Sequence, residues 1–265
     1  MNPAIHQSNE EFYIGWQAQA PKGIGSRVRK TVIVLLLLAP LLSVLLVFAQ
    51  RTIGRAVFQW GHIKTFSGVL QSRPYPHLLL SRPAQSNGAP SASAYYLVAP
   101  LKFGLNSDSL VKFDGKPVLL KGTLIYRGNQ TMIEARPDSI QLAPESSTAS
   151  AVQTSGKQEK LGRQTLIGEI VDSKCYLGVM NPGQFTPHRA CAVRCISGGI
   201  PPILVVRSKE GLPLYFLLVS SDGHPLNKQI LDMVAEPVEI TGEVERQGEL
   251  LVLRADPQTY RRVKL

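Results

Sequence analysis

The chain has 265 residues, with 29 Lys and Arg against 19 Asp and Glu, and its formal net charge is +10 at pH 7. Such an excess of cations suggests a nucleic-acid partner, but no basic run is interleaved with the aromatic residues that stack on single-stranded bases. Part of the excess also lies directly before an apolar segment, where a membrane explains it. Composition therefore argues against nucleic-acid binding.

The first predicted element is a transmembrane helix over residues 31–49, TVIVLLLLAPLLSVLLVFA, which contains no charge. At a rise of about 1.5 Å per residue this segment spans roughly the 30 Å of bilayer hydrocarbon. The cations that precede it are Lys22, Arg27, Arg29 and Lys30. By the positive-inside rule they predict a cytoplasmic tail, residues 1–30, and a single-pass protein of the bacterial inner membrane whose C-terminal region is periplasmic. A cleaved signal peptide is the alternative, because residues 47–49 match a small-residue cleavage pattern.

An internal repeat organises the rest of the chain. Residues 117–137 align with residues 237–257 at a constant offset of 120 and without a gap. The coinciding pairs are Pro117/Pro237, Val118/Val238, Gly122/Gly242, Gly128/Gly248, Ala135/Ala255 and Pro137/Pro257. Upstream, TFSGVL at 65–70 matches TLIGEI at 165–170 with an offset of 100, so the second copy is 20 residues longer between these anchors. Two copies of one structural unit are therefore predicted.

Both copies have the predicted order strand, strand, strand, helix, strand, strand. In the second copy the strands are 165–172, 203–207, 214–220, 237–245 and 249–254, and the helix is 225–235. In the first copy they are 65–71, 77–81, 94–99, 118–126 and 130–136, with a helical turn at 106–113. The fold class is thus mainly β, with a first five-stranded barrel over 62–142, a low-complexity linker over 143–161 and a second barrel over 162–265.

A helix between the third and fourth strands of a small barrel resembles the OB-fold, and the resemblance covers both copies. It is a resemblance of architecture, and a small β-sandwich with the same strand count is the alternative. In OB barrels the loop between the first two strands is one of the two that line the binding face. The extra length of the second copy is expected largely in this loop.

This insertion, residues 173–202, contains all three cysteines of the chain. Within the insertion, the stretch HRACAVRCIS, residues 188–197, is preceded by a proline and followed by a pair of glycines. It is therefore predicted to form one short helix. On that helix His188, Cys191 and Cys195 lie at positions i, i+3 and i+7. The three side chains are therefore expected on one face.

Cys175, His188, Cys191 and Cys195 together would satisfy a tetrahedral zinc site, and the thiolates would also suit a copper ion as Cu(I). Asp172 is predicted to orient a ligand or to serve as one. The spacing matches none of the common zinc patterns. A disulfide is the alternative, since a bridge from Cys175 to Cys191 or Cys195 would close a loop of about 17 to 21 residues and stabilise it by about 3 kcal/mol.

A disulfide would leave one thiol over, close to Arg189 and Arg194, and such an odd thiol is also typical of a redox-active site. Covalent c-type haem is disfavoured because no CxxCH occurs, although His188 and Met180 are available as axial ligands. A membrane-anchored OB barrel resembles the periplasmic haem chaperones of cytochrome c maturation. Those proteins have one barrel and a histidine in the tail after it, whereas residues 255–265 contain no histidine.

The sequence therefore predicts a noncatalytic binding or assembly factor for a membrane-associated redox or metalloprotein system, with a membrane or periplasmic protein as partner. No catalytic residue is assigned. Two alternatives from other classes remain: a thiol-disulfide oxidoreductase, and a structural interaction protein whose loop is stapled by a disulfide. The first barrel is expected to be a spacer or docking module.

Overall fold

The structure is a computed structural model that describes residues 21–50, 56–82, 91–144, 159–207, 213–247 and 249–264. It divides into one unit up to Gly54 and another from Arg55 onward. The first unit contains helix α1, Lys22–Gln50, which is long and apolar enough to cross a membrane. This helix includes the whole predicted span and the cations before it. Residues 1–20 of the predicted tail lie outside the described residues.

The first barrel contains seven described strands and one short helix. The strands are β1 Ala56–Phe58, β2 Lys64–Gln71, β3 His77–Arg82, β4 Ser91–Val98, β5 Pro117–Arg127, β6 Gln130–Ala135 and β7 Gln141–Leu142. Helix α2, Ser107–Leu110, lies between β4 and β5. The sheet closes because β2 pairs with β3, β3 with β4, β4 in parallel with β6, β6 with β5, and β5 again with β2. Strands β1 and β7 add to β5 outside this ring.

The second barrel closes in the same order. Its strands are β8 Glu159–Asp172, β9 Pro202–Arg207, β10 Pro213–Val219, β11 Pro237–Gln247, β12 Leu250–Arg254 and β13 Arg261–Arg262, and the insertion contains helix α3, Arg189–Ser197. Strand β8 pairs with β9, β9 with β10, β10 in parallel with β12, β12 with β11, and β11 with β8. The prediction of two tandem five-stranded barrels is confirmed.

The repeat seen in the sequence is also a repeat of strand register. Gly68 on β2 lies opposite Val118 on β5, and Gly168 on β8 lies opposite Val238 on β11. A Cβ atom on either glycine would collide with a carbonyl oxygen of the next strand, Leu79 or Val205 in the two barrels. Close approach of neighbouring strands therefore explains why both copies have glycine here.

The predicted helix at 225–235 is wrong. The segment is irregular apart from a 3-10 turn at Leu231–Met233, because Pro225 forms a β-bridge with β10 and Val234 forms one with β8. These bridges pair both ends of the segment with strands of the barrel, so a regular helix does not form between them. The apolar spacing of four did identify buried residues, namely Leu226, Ile230 and Val234.

Two predicted low-complexity segments are described only in part. Of the linker over 143–161, residues 145–158 lie outside the described residues, and its last three residues belong to β8. The low-complexity stretch RPAQSNGAPSASA, residues 82–94, has the composition of a long loop, and residues 83–90 of it lie outside the described residues, while Arg82 ends β3 and residues 91–94 belong to β4.

Three apolar cores hold the second unit together: one inside each barrel and a third between the barrels. The third core joins residues of the first barrel, such as Tyr96 and Ile125, to residues of the second, such as Val205 and Leu217. Cys175 and Cys195 also belong to it. The insertion therefore places two of its three thiols in the contact between the barrels.

Candidate metal and thiol site

The insertion lies where the sequence predicted it, between the first two strands of the second barrel ring. Residues 173–201 connect β8 to β9, whereas residues 72–76 connect the corresponding strands β2 and β3. The insertion begins with a π-helical turn, Cys175–Val179, and its last helix is α3. Such π-helical turns occur frequently at functional sites.

The structure divides the four predicted ligands between two groups of three ligand atoms, and does not gather all four into one group. Cys175, His188 and Cys195 are buried, with exposed fractions of 4%, 4% and 1%, while Cys191 is half-buried. Ligand atoms of Cys175, His188 and Cys191 lie within 4.8 Å of one another, and so do those of Asp172, Cys175 and Cys195. Three of the predicted ligands therefore form one triad, and the fourth, Cys195, belongs to a second triad that is completed by Asp172 and shares Cys175 with the first.

The helix that was predicted to carry three of these residues starts one position later and contains only Cys191 and Cys195. His188 ends a 3-10 turn, Thr186–His188, and α3 runs from Arg189 to Ser197. The backbone N–H of Gly198 bonds the carbonyls of the last helical turn. His188 thus sits at the N-terminal boundary of α3 and remains on the side of Cys191.

Asp172 forms hydrogen-bond contacts with two of the predicted ligand residues, His188 and Cys175. It is fully buried, its Oδ2 lies 3.0 Å from Nε2 of His188, and its Oδ1 accepts a 2.7 Å hydrogen bond from the backbone N–H of Cys175. A neutral imidazole that donates from Nε2 to a carboxylate has its lone pair on Nδ1. Asp172 therefore fixes the orientation of the His188 imidazole, as carboxylates do for the histidines of metal sites.

The two buried thiols, Cys175 and Cys195, differ in the direction in which their pKa is shifted. The Sγ atoms of Cys175 and Cys195 are 4.0 Å apart. The hydrogen bond to Cys195, burial, and the charge of Asp172 raise the pKa of the Cys175 thiol. The hydrogen bond from Cys175, with a further contribution from Lys102, lowers the pKa of Cys195 despite its burial. Cys195 is therefore the sulfur that more readily carries negative charge, and Cys175 keeps the proton.

The first barrel contributes a cation to this site, which the sequence did not predict. Lys102 lies in the segment between β4 and α2, and its Nζ donates to Sγ of Cys191 at 2.8 Å and lies 3.9 Å from Sγ of Cys195. The bond to Cys191 raises the pKa of Lys102. The first barrel is therefore more than a spacer, because one of its side chains contacts two thiols of the insertion.

Lys174 fixes the segment that carries Lys102. It is buried, pairs with Glu134 of β6 at 2.5 Å, and donates to the carbonyl oxygens of Ala99 at 2.9 Å and Leu101 at 2.7 Å. A buried ammonium is tolerated when its donors are satisfied in this way. Lys174, the residue directly before Cys175, thus holds in place the backbone that directly precedes Lys102.

The end of α3 packs on the same segment. Gly104 donates its N–H to the carbonyl of Gly198 at 2.9 Å, and a Cβ atom on either glycine would collide with backbone of the other element. The sequence predicts for Gly198 only a place at the end of a helix. Its second role, allowing close approach to the first barrel, depends on a contact far away in the chain.

The sulfurs of Cys175 and Cys195 are not bonded to each other, and their separation is one that two ligands of a metal ion could have. Two thiolates on a tetrahedral zinc ion, with Zn–S near 2.3 Å, are about 3.8 Å apart, whereas a disulfide bond is about 2.05 Å long. The 4.0 Å between Cys175 and Cys195 is close to the first value. Sulfur and imidazole donors in this set suit Zn(II) and Cu(I).

The possible axial haem ligands differ in their surroundings, since His188 is buried against Asp172 while Met180 is exposed. A second histidine, His224, is exposed, and its Nε2 lies 3.5 Å from Oδ2 of Asp222.

Comparison with protein-family models found no match for the chain, and comparison with curated proteins found none either. A proposal for the function of the chain therefore rests on the geometry of the site.

Proposed function

We propose that the chain is a membrane-tethered metal-binding factor that serves the assembly of a redox or metalloprotein system. Its ligands are Cys175, His188, Cys191 and Cys195, and its ion is Zn(II) or Cu(I). The observation that carries this proposal is the convergence of three thiols, an imidazole and a buried carboxylate, with ligand atoms within 4.8 Å in each triad. Isolated buried polar groups are costly, so a shared ion gives this cluster a physical reason to exist.

The different exposure of the ligands favours a carrier over a purely structural site. Three ligands are buried, but Cys191 is half-buried and its helix faces solvent at Arg194. Structural zinc sites are closed, whereas an ion that is exchanged needs one ligand within reach of a partner. Cys191 supplies such a ligand, and Lys102 donates a hydrogen bond to its sulfur at 2.8 Å.

The anchor sets where this carrier works. Helix α1 has the length and composition of a transmembrane segment, and the cluster of cations before it favours a cytoplasmic N-terminus. We place the two barrels, which resemble OB-folds in their architecture, on the periplasmic side of a bacterial inner membrane. A membrane-impermeant maleimide should then label Cys191 in intact spheroplasts, and labelling only after lysis would contradict this topology.

Metal content tests the proposed function directly. The full chain, purified in mild detergent under anaerobic conditions without chelator, should contain about one zinc or copper ion and yield three thiols after denaturation. His188→Gln should lose most of the ion. His224→Gln is the matched control, because His224 also has an aspartate neighbour but is exposed, and its metal content should equal that of the wild type.

Two outcomes would contradict the proposal. A metal-free chain with a single free thiol would establish a structural disulfide. Equal metal content in the wild type and in both histidine variants would assign the ion to another part of the chain. Folding of each variant is checked by its circular dichroism spectrum, so that a loss of metal is not mistaken for a loss of structure.

A further inference from the structure

A cavity of about 480 Å³ lies on the outer face of the second barrel, beside the insertion. One side of it is formed by alternate residues of two paired strands, Ile167 and Glu169 on β8 and Val205 and Arg207 on β9. The next residue of β8, Ile170, belongs to the core inside the barrel, so Ile167 and Glu169 point outward. The volume lies within the range of roughly 300–1,000 Å³ that is typical of small-molecule sites.

The insertion lines the same cavity through residues 184–186. Phe185 is 47% exposed, and so is Ile167, so the cavity presents large apolar side chains to solvent. Phe185 has a backbone φ of 67° and a ψ of 172°, and Ala235, which also lines the cavity, has a φ of 60°. Residues other than glycine rarely adopt a positive φ, and those that do are concentrated at functional sites. Two such residues in one cavity favour a binding role for it.

The cavity contains one carboxylate and one guanidinium, and both can form further hydrogen bonds. Glu169 accepts a hydrogen bond from the backbone N–H of Phe185, and Arg207 donates one to the side chain of Gln184 at 3.4 Å. In the part of the chain that the structure describes, neither side chain has another hydrogen-bond partner. Burial raises the pKa of the Glu169 carboxyl, while the bond from Phe185 and the charge of Arg207 oppose this rise. A cation from a ligand would therefore stabilise this carboxylate further.

The corresponding face of the first barrel has neither charge. Val69 on β2 has the strand register of Glu169, and Ser81 on β3 has that of Arg207. The first barrel closes in the same strand order without a carboxylate or a guanidinium at these places. Barrel formation therefore does not explain the two charges of the second barrel.

We propose that this cavity binds a free apolar amino acid as its zwitterion. The α-carboxylate of the ligand pairs with Arg207, whose planar guanidinium matches carboxylate geometry, and the α-ammonium pairs with Glu169. The apolar side chain packs on Ile167 and Phe185. This inference goes beyond the proposed metal-binding function and does not depend on it, because none of the four proposed metal ligands lines the cavity.

Isothermal titration calorimetry of the full chain in mild detergent with L-phenylalanine tests the proposal. Metal is first removed with a chelator, which is then dialysed away, because amino acids also bind zinc. L-phenylalanine should bind at a single site. Phenylalaninamide, which lacks the carboxylate, and N-acetylphenylalanine, which lacks the ammonium, should each bind about tenfold or more weakly, since each loses a charge-assisted hydrogen bond.

Two substitutions assign each end of the ligand to its residue. Arg207→Met should weaken the binding of L-phenylalanine about tenfold or more and abolish the preference over phenylalaninamide. Glu169→Gln should likewise weaken binding and abolish the preference over N-acetylphenylalanine. Arg246→Met is the matched control, because Arg246 is also exposed but pairs with Glu159, and its affinity should equal that of the wild type.

The absence of binding at millimolar L-phenylalanine would overturn the proposal. Equal affinities of the wild type for the three ligands would overturn it as well, because the two charges would then not hold the ligand. If a variant does not fold, as judged by circular dichroism, the three ligands still decide the matter on the wild type.

Zinc titration of the same chains separates this site from the metal site. We expect Arg207→Met to bind zinc like the wild type while it loses affinity for L-phenylalanine. Zinc binding by a wild type that does not bind L-phenylalanine would remove only this inference. Binding of L-phenylalanine without zinc binding would remove only the metal proposal.

Discussion

The two barrels share strand order and register but differ in one connection. Between β2 and β3 the first barrel has only residues 72–76, whereas residues 173–201 in the second barrel carry the cysteines, the buried Lys174 and α3. The insertion does not stay on its own barrel, because Lys174 and Gly198 contact the first barrel and Lys102 contacts the insertion in return. The longer loop of the second barrel therefore forms, together with the first barrel, a site to which both barrels contribute residues.

This difference separates what each barrel contributes. The second barrel supplies the thiols, the imidazole and Asp172, and the first barrel supplies the cation and the surface that buries them. If the comparison is right, substitutions at the contact should weaken the whole unit, and substitutions at the ligands should weaken metal binding more than folding. The following four predictions test it in order of decreasing effect.

The largest effect is expected from Glu134→Ala. It leaves the ammonium of Lys174, whose side chain is 2% exposed, without its carboxylate, and breaking a buried pair in this way costs about 3–5 kcal/mol. Denaturant unfolding of the full chain in detergent, followed by circular dichroism, measures the loss. Glu159→Ala removes half of an exposed pair with Arg246 and should cost less than about 1 kcal/mol. Similar losses in both variants would show that the barrels are not joined by Lys174.

A smaller loss is expected from Gly198→Ala. The added methyl group collides with the carbonyl of Lys102 across the contact, and overpacking of this kind costs about 1–3 kcal/mol. The variant should also increase the reactivity of Cys191 toward maleimide, because the segment that carries Lys102 is displaced. Unchanged unfolding and unchanged labelling would mean that the first barrel does not cover the insertion.

Asp172→Asn should act on the metal more than on the fold. The amide keeps the size of the carboxylate but cannot orient a neutral imidazole with the same strength, and loss of such a partner weakens metal binding about 10- to 100-fold. Competition with a zinc chelator measures the affinity. Asp222→Asn, beside the exposed His224, is the control and should leave the affinity unchanged.

The smallest effect on stability is expected from Cys191→Ser. A half-buried thiol can be replaced by a hydroxyl that reaches water, so the metal-free chain should change by only about 0.5 kcal/mol. Cys195→Ser, by contrast, places a hydroxyl in the core between the barrels and should cost about 1–3 kcal/mol. Equal costs would indicate that the two sulfurs are equally buried.

The sequence predicted the barrels well because their information is local and repeated. Strand alternation and the paired glycines fix the register of each barrel, and the structure follows both offsets. The helix at 225–235 failed because spacing of apolar residues reports burial and not backbone bonding, and Pro225 and Val234 bond to strands instead.

The ligands of the candidate site were also visible in the sequence, since Cys191 and Cys195 share one short helix and His188 directly precedes it. Asp172 was predicted from the sequence to orient a ligand or to serve as one. Lys102 and Glu134 were not predictable, because their roles depend on contacts between residues that are distant in the chain. The glycines of the insertion are the sequence feature that could have indicated this contact, because Gly198 lies where the backbone of the first barrel comes close.

The central claim is that the insertion holds an ion through thiolate and imidazole ligands. An X-ray absorption spectrum of the zinc-loaded full chain tests it most directly. We expect sulfur at about 2.3 Å and nitrogen at about 2.0–2.1 Å, with the sulfur signal reduced in Cys175→Ser, the residue common to both triads. A shell of oxygen and nitrogen alone, unchanged in Cys175→Ser, would contradict the claim and show that the zinc is bound elsewhere.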